Sequence, residues 1–517
     1  MADPLRFTAD ILLQTHITAD SRRKRLLVFL AWLLLVAWLF SQHVLWRDEV
    51  RAYSLALAGA GVGDMLRTIH GEGHPAIWYL ILRGVHAVLP SREMLPIAGA
   101  LIGVAAMAIF TFASPFRTWV IAAGLFSLFG AFEYVIVARN YGIAALILFC
   151  LAATYWRVRN GPVFGMILAI LCNTNVPSCI IAAGFLLYRF VEMLSDAQRP
   201  SIRAWTVFIV NAALALAGAI ACFATVYPPF NGGAVSKNLE QVSASAVLAA
   251  LGGGGKGFTN LVLNARGALP PIFLWGSCLA LVRRPPAVLA SLAALAALKL
   301  FFYFVYPSSY RHEALFVVFL LALHWISAQS GELSVRSERA RRVLEALGTF
   351  AFCLLLLLQT ADLLKPLSLQ ARGVPYSRSA DVGRLLERPE LRGAIVMADP
   401  DIMLEPLPFY AGNPLWFVRE KQFAKLYLRS TPDRHRITLD DLLGDARRLH
   451  QSSGGPVVIL LHADLAKTGG APRRALYRDT TDITPDGIAR FVSATRKIAT
   501  LRPAITDESY DVYVYRG

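Results

Sequence analysis

The sequence predicts a membrane all-α bundle of about eleven transmembrane helices followed by a small C-terminal α/β domain. Three observations carry that expectation. The 517 residues are 56% hydrophobic and only 17% charged, with a mean hydropathy of +0.50, which is too apolar for an ordinary soluble chain. Blocks of about 20 apolar residues, each enough to cross a hydrocarbon core of roughly 30 Å, recur up to about Leu364. After that point the composition changes, so residues 1–364 read as the membrane domain and 365–517 as the appended domain.

Hydropathy places the spans near 25–44, 94–113, 118–137, 141–156, 162–175, 177–193, 204–227, 269–282, 286–305, 312–329 and 344–364. The first follows "SRRKR" and resembles a signal peptide, but no small-residue cleavage site comes after it, so it reads as a retained helix. Arginine and lysine then load alternate loops: Arg22 to Arg25, Arg117, Arg157 and Arg159, Arg189, Arg199 and Arg203, Arg283 and Arg284, and Arg336 to Arg342. The positive-inside rule puts all of these on the cytoplasmic face. With an odd number of spans, the tail emerges on the outer face. So do the first loop (about 45–93), "ARNYG" at 138–142, "NTNVPS" at 173–178, a Gly-rich loop at about 228–269 that reads as mobile, and "YPSSYRHEALF" at 306–316.

Composition also excludes some functions. The net charge of +16 does not point to nucleic acid, because the basic residues punctuate hydrophobic blocks rather than cluster on one soluble face. The six cysteines (Cys150, Cys172, Cys179, Cys222, Cys278 and Cys353) lie in or at the ends of apolar segments and form no CxxC pair, which argues against a cysteine metal site. In the tail, "GAIVMADPD", "PVVILLHADL" and "SYDVYVYRG" read as strands and "LDDLLGDARRLH" as a helix. Its expected role is stability or lid formation.

The unusual polar residues gather in the outer loops. Directly after the first span comes "WRDEV", and the same loop ends in "GEGHPAIWYLILR". A first span followed by a carboxylate pair, then a long outer loop, many spans and an outer C-terminal domain resembles the GT-C superfamily of integral membrane glycosyltransferases, in particular the bacterial aminoarabinose, mannosyl, galacturonosyl and arabinosyl transferase group. That resemblance implies two interfacial helices in the first loop and transfer, with inversion, of a sugar from a polyprenyl-phosphate carrier. The acceptor would be an envelope glycolipid, a polysaccharide or a protein, at the periplasmic face of a bacterial inner membrane.

Such a reaction needs a group to take the acceptor proton, and Asp48 and Glu49 are the carboxylates available. Adjacent residues on a helix point roughly 100° apart, so one faces the reaction, Asp48 by its place in the motif, and the other binds acceptor, cation or backbone. The alternative is that both cap the next helix or pair with Arg47 or Arg51. The departing lipid phosphate gains negative charge, for which Arg139, Arg311, His312, Lys256 and Lys299 are candidate partners, arginine being suited to phosphate by its planar fork. Interfacial snorkelling is the competing explanation for the arginines. Glu72, His74, Tyr141 and Tyr310 are candidates to bind acceptor or support the site. Asp48, Glu72 and His74 form a possible site for Mg²⁺ or Ca²⁺, although no metal-binding motif is present.

The run "LGGGGKGF" is not a phosphate-binding P-loop, since GxxxxGK[ST] is absent, which fits a lipid-linked rather than a nucleotide-linked donor. Two other classes stay open. A ligase using diphosphate-linked oligosaccharide predicts a large arginine-rich outer loop, and a transporter or lipid flippase predicts midplane charges and inverted repeats. The sequence shows no such repeat.

Overall fold

The structure, a computed structural model, describes residues 11–14, 18–195, 199–227, 242–252, 258, 260–262, 269–329, 338–427, 436–468, 474–476, 479–515 and 517. The N-terminal two thirds is helical. Helix α1 (Ala19–Gln42) starts where the Thr18 hydroxyl accepts the Ser21 amide and runs along the outside of the bundle. Three short helices follow, α2 (Arg47–Ala56), α3 (Val62–Ile69) and α4 (Ile77–Val88), and pack on one another through Tyr53, Met65, Trp78 and Leu82. Then come α5 (Met94–Ala113), α6 (Thr118–Leu125), α7 (Tyr141–Val158), α8 (Pro162–Cys172), α9 (Val176–Ser195), α10 (Ile202–Val226), α11 (Ala244–Gly252), α12 (Leu269–Cys278), α13 (Pro285–Phe304), α14 (Tyr310–Ala328) and α15 (Glu338–Ala371).

Among the described residues eight helices are long and apolar enough to cross a membrane: α1, α5, α7, α9, α10, α13, α14 and α15. This is a multi-pass membrane protein. Three of the expected spans are shorter. The apolar block at 118–137 breaks after α6 because the Ser127 hydroxyl bonds both the Gly124 carbonyl (2.6 Å) and the Gly130 amide (2.9 Å), and the chain continues as a π-helical turn, Phe129–Glu133. Helix α8 has 11 residues and α12 has 10; at 1.5 Å per residue each covers about half a bilayer core. Helix α14 is the axis of the bundle, with 83% of its apolar window buried. Beside it, α7 meets the chain after the π-helical turn so closely that a Cβ on Gly142 would stand 2.6 Å from the Tyr134 carbonyl oxygen.

Helix connectivity sorts the helix termini onto two ends of the bundle. Arg25, Arg159, Arg189, Arg203 and Arg283 lie at one, where the Arg25 guanidinium bonds the carbonyls of Thr111, Ser114 and Phe116. The end of α1, the starts of α7, α9 and α14, and the ends of α10 and α13 meet at the other.

The C-terminal region docks at that second end. It holds α16 (Ser379–Leu386), β1 (Ile395–Asp399), α17 (Leu407–Tyr410), β2 (Leu415–Phe417), β3 (Gln422–Phe423), β4 (Arg436–Thr438), α18 (Leu439–Ser453), β5 (Val457–Leu461), β6 (Arg474–Leu476), β7 (Asp479–Asp482), α19 (Pro485–Ala494), β8 (Thr495–Leu501) and β9 (Tyr510–Tyr515). Six strands form a sheet in the order β3-β2-β1-β5-β9-β8, with β1 parallel to β2 and β5 and the other pairs antiparallel; β4, β7 and β6 form a second, three-stranded sheet. Strands β1 and β5 are buried on both faces, which explains their uninterrupted apolar sequences. Helix α18 is the expected "LDDLLGDARRLH" segment. Thr438 and Asp441 cap its start reciprocally, and Gly454 ends it in the left-handed conformation at φ 67°.

Candidate active site

The loop after α1 turns at Trp46, and Glu49 fixes the turn. Its carboxylate accepts the Trp46 amide (3.1 Å), the Ala138 amide (2.6 Å) and His43 Nε2 (3.0 Å), and it is fully buried. Glu49 therefore ties the start of α2 to the chain before α7 and does not line the adjoining cavity. Asp48, one residue earlier, does line it, with its side chain 36% exposed.

The same tie delivers Arg139. Its Nη1 donates to the Asp48 carbonyl (2.6 Å) and lies 3.9 Å from the carboxylate, while Nη2 donates to His74 Nε2 (2.6 Å). Arg311 enters from the start of α14, with its Nε 3.2 Å from Glu133 and its guanidinium over the Trp46 ring at 5.3 Å. His312 follows it. The His312 Nδ1 accepts the Ser309 amide (3.0 Å), which assigns the proton of the neutral ring to Nε2 in the cavity that the residue lines. Tyr141 stacks on Tyr134 and meets the His312 ring edge-on at 5.3 Å.

Electrostatics follow from this placement. Burial raises the Asp48 carboxyl, but Arg139, Arg47 and Arg311 outweigh it and hold the group at about 2. His74 is held well below its ordinary value by burial and by Arg139, so it is neutral at pH 7 and accepts from that arginine.

Two more arginines of α2 are bound to distant chain. Arg51 forms a two-pronged pair with Glu72 (2.8 and 2.5 Å) and also bonds Glu405 and the Tyr427 carbonyl. Arg47 bonds Asp507 through both terminal nitrogens (2.7 and 3.0 Å), and its backbone amide donates to Glu508 (2.8 Å). The hydroxyls of Ser377 and Ser379 hold the other Glu508 oxygen. Sequence reasoning treated Arg47 and Arg51 only as partners for the Asp-Glu pair and passed over Glu508, Glu405, Tyr79, Tyr306 and Ile402. The available signal was the i, i+4 spacing of the two arginines around Asp48, which puts both on one side of α2.

Asp48, Glu72, His74, Arg139, Arg311 and His312, with Arg47 and Arg51 of α2, line a polar cavity of about 390 Å³. A second, apolar cavity of about 260 Å³ adjoins it between α9, α10 and α13, lined by Val176, Phe223, Val226, Phe301 and Val305. His74, Tyr141, Tyr306 and His312 belong to both walls.

No known protein family, characterised protein or solved structure matches the chain. The site is therefore argued from its own geometry. Asp48, Glu72, His74, Arg139, Tyr141, Arg311 and His312 are brought together. Tyr310 is not; its hydroxyl donates to Gln359 (2.8 Å) away from the cavity. Lys299 is buried in α13 and lines neither cavity. Lys256 lies outside the described residues, as does much of the Gly-rich loop. For a divalent cation the trio of Asp48, Glu72 and His74 does not converge, since Glu72 turns to Arg51 and His74 to Arg139. Among the described residues no three His, Cys, Asp or Glu side chains are placed to hold a metal ion. The cavity is lined by four arginines and two carboxylates; Arg51 and Glu72 pair with each other and Arg47 with Asp507, which leaves Asp48, Arg139, Arg311 and His312 as the groups set towards a ligand.

Proposed function

We propose that this protein is a membrane glycosyltransferase of the GT-C kind that moves a sugar from a polyprenyl-phosphate carrier to a hydroxyl-bearing acceptor (glycolipid, polysaccharide or protein). The observation that carries the reading is the wall the two cavities share: a polar chamber of a size that holds a sugar and its phosphate lies against an apolar slot suited to the carrier's isoprenoid, with His74, Tyr141, Tyr306 and His312 lining both. The arginine-rich opposite end of the bundle supports a cytoplasmic placement for that end, and hence a periplasmic one for the cavity and the C-terminal region in a bacterial inner membrane.

In this mechanism the acceptor oxygen attacks the anomeric carbon, the bond from that carbon to the phosphate oxygen breaks, and the departing phosphate keeps the electron pair. Asp48 takes the acceptor proton. Arg139, Arg311 and the His312 N–H face the charge that grows on the phosphate. A carboxylate held at about 2 by these arginines is a weak base. Donor phosphate engages the same arginines, reduces their hold on Asp48 and raises its basicity when the proton must move.

Binding of polyprenyl phosphate to the purified protein tests the reading. Arg311→Ala is expected to weaken it about 10- to 100-fold, the loss of one charge-assisted hydrogen bond. Unchanged carrier affinity in that variant would remove Arg311 from the donor site. Absence of carrier binding by the wild type would overturn the proposal.

A further inference from the structure

Arg159 follows α7, Arg189 lies near the end of α9 and Arg203 opens α10, at the end of the bundle away from Asp48. Arginines that only set topology need no common target. These three line one cavity of about 370 Å³, together with Asn160, Ser201 and Phe208. Glu192 holds two of them, accepting from Arg159 Nη1 and Arg189 Nη1 at 2.7 Å each, and the Tyr155 hydroxyl donates to the same carboxylate at 2.7 Å. Arg189 Nη2 donates to Asn160 Oδ1 (2.8 Å), and the Arg159 guanidinium lies 4.0 Å from the Trp156 ring centre.

Two guanidiniums are thus fixed in place, yet the cavity keeps donors to spare. Three cations face one carboxylate. Arg159 Nε is buried without a hydrogen-bond partner, and among the described residues Arg203 has no carboxylate partner. The surroundings are apolar: Phe190, Trp205 and Phe208 form a ring cluster with centroids 5.8 to 6.2 Å apart. Beyond it the outer surface of α8 and α10 carries Met166 and Ile209, 46% and 63% exposed, on helices of a membrane bundle.

We propose that this cavity binds the phosphate of an anionic phospholipid, with the acyl chains lying along α8 and α10. Guanidinium forks match phosphate oxygens, and basic pockets between transmembrane helices are suited to anionic headgroups. The site is separate from the glycosyltransferase reading and stands without it.

The test uses the full-length protein in detergent, titrated with phosphatidylglycerol, phosphatidylcholine or inorganic phosphate. Retained lipid is counted by native mass spectrometry, and melting is followed in parallel. Phosphatidylglycerol is expected to be retained and to raise the melting temperature, and phosphatidylcholine to do neither. Arg203→Gln, at an exposed position, is expected to weaken phosphatidylglycerol binding about fivefold. Asn160→Asp keeps the acceptor for Arg189 and adds a negative charge, and is expected to act in the same direction while melting like the wild type without lipid. Equal retention of both lipids, or wild-type phosphatidylglycerol affinity in both variants, would overturn the proposal. Saturation by inorganic phosphate with no further response to phosphatidylglycerol would show a soluble anion site and overturn the lipid assignment.

Discussion

Replacing Asp48 by asparagine separates the base from the scaffold around it. The side chains are nearly the same size, and the hydrogen bond of Arg139 to residue 48 goes to the backbone carbonyl at 2.6 Å, which asparagine keeps. What is lost is a proton acceptor and a negative charge lying 3.9 Å from Arg139 and 4.0 Å from Arg47. Loss of a general base lowers kcat by about 10²- to 10⁴-fold, or roughly 3–5 kcal/mol of barrier. Donor binding moves the other way. Asp48 lines the same cavity as Arg139 and Arg311, so a phosphate held by those arginines meets its negative charge. Removing that like charge relieves repulsion of the phosphate, by at least the order of 1 kcal/mol that two unit charges about 4 Å apart feel in water, or about fivefold in affinity. Single-turnover transfer from pooled polyprenyl-phosphate sugars would be measured beside equilibrium binding of polyprenyl phosphate. The expected result is a collapse in rate with carrier affinity equal to or tighter than wild type. A rate within threefold of wild type would refute the assignment of the base, and a tenfold loss of carrier affinity would make Asp48 a binding residue instead.

Glu508→Ala removes the acceptor of the buried Arg47 amide while Asp507 still pairs the guanidinium, so the expected cost is that of one unsatisfied buried donor, about 1–3 kcal/mol. Thermal melting should fall clearly, and less for Glu508→Gln, which keeps an acceptor for the Arg47 amide; melting of the alanine variant at the wild-type temperature would show that hydrogen bond to be idle. The pH dependence has a definite sign. A carboxyl held at about 2 stays ionised as pH falls from neutral and is protonated only near that value. The kcat/KM profile, which reports the free enzyme, should therefore show no acid limb from Asp48 above about 2, whereas kcat should show one at higher pH once donor phosphate occupies the arginines. Coincident acid limbs would mean that the phosphate does not relax the hold on Asp48.

Much of this was legible because charge next to hydrocarbon is costly and so carries information. Asp48, Arg139, Arg311 and His312 stand out as polar residues at span ends, and the fold brings them to one chamber. Helix periodicity decides the neighbours that do not join them. Tyr310 precedes Arg311 by one residue and so points about 100° away, towards Gln359. Hydropathy does not read the internal breaks of the apolar blocks, because it sums apolar residues without testing backbone continuity: the Ser127 hydroxyl interrupts the block at 118–137, and α8 ends after 11 residues. Least legible were the partners of Arg47 and Arg51, because Glu508 and Glu405 lie 461 and 354 residues along the chain.

Those long-range pairs bear on what the C-terminal region does. Buried ion pairs are weak evidence for stability, since desolvation offsets much of their attraction, but they are exacting about geometry. Here they converge on a ten-residue helix, α2. Glu508 binds its first amide, Asp507 and Glu508 hold Arg47, and Glu405 shares Arg51 with Glu72. A carboxylate at a helix N-terminus is favoured by the exposed amides and the helix dipole, so Glu508 and Glu49 together anchor the turn from which Asp48 projects. Tyr410 adds a hydrogen bond to the Leu45 carbonyl, and Ile402 supplies part of the cavity wall. The C-terminal region also buries charge within itself, where Arg419 meets Asp399, Asp401 and Asp479, but three of its carboxylates, Glu405, Asp507 and Glu508, reach the short helix that carries the candidate base. These contacts tie the start of α2, and with it the turn from which Asp48 projects, to residues from the far end of the chain.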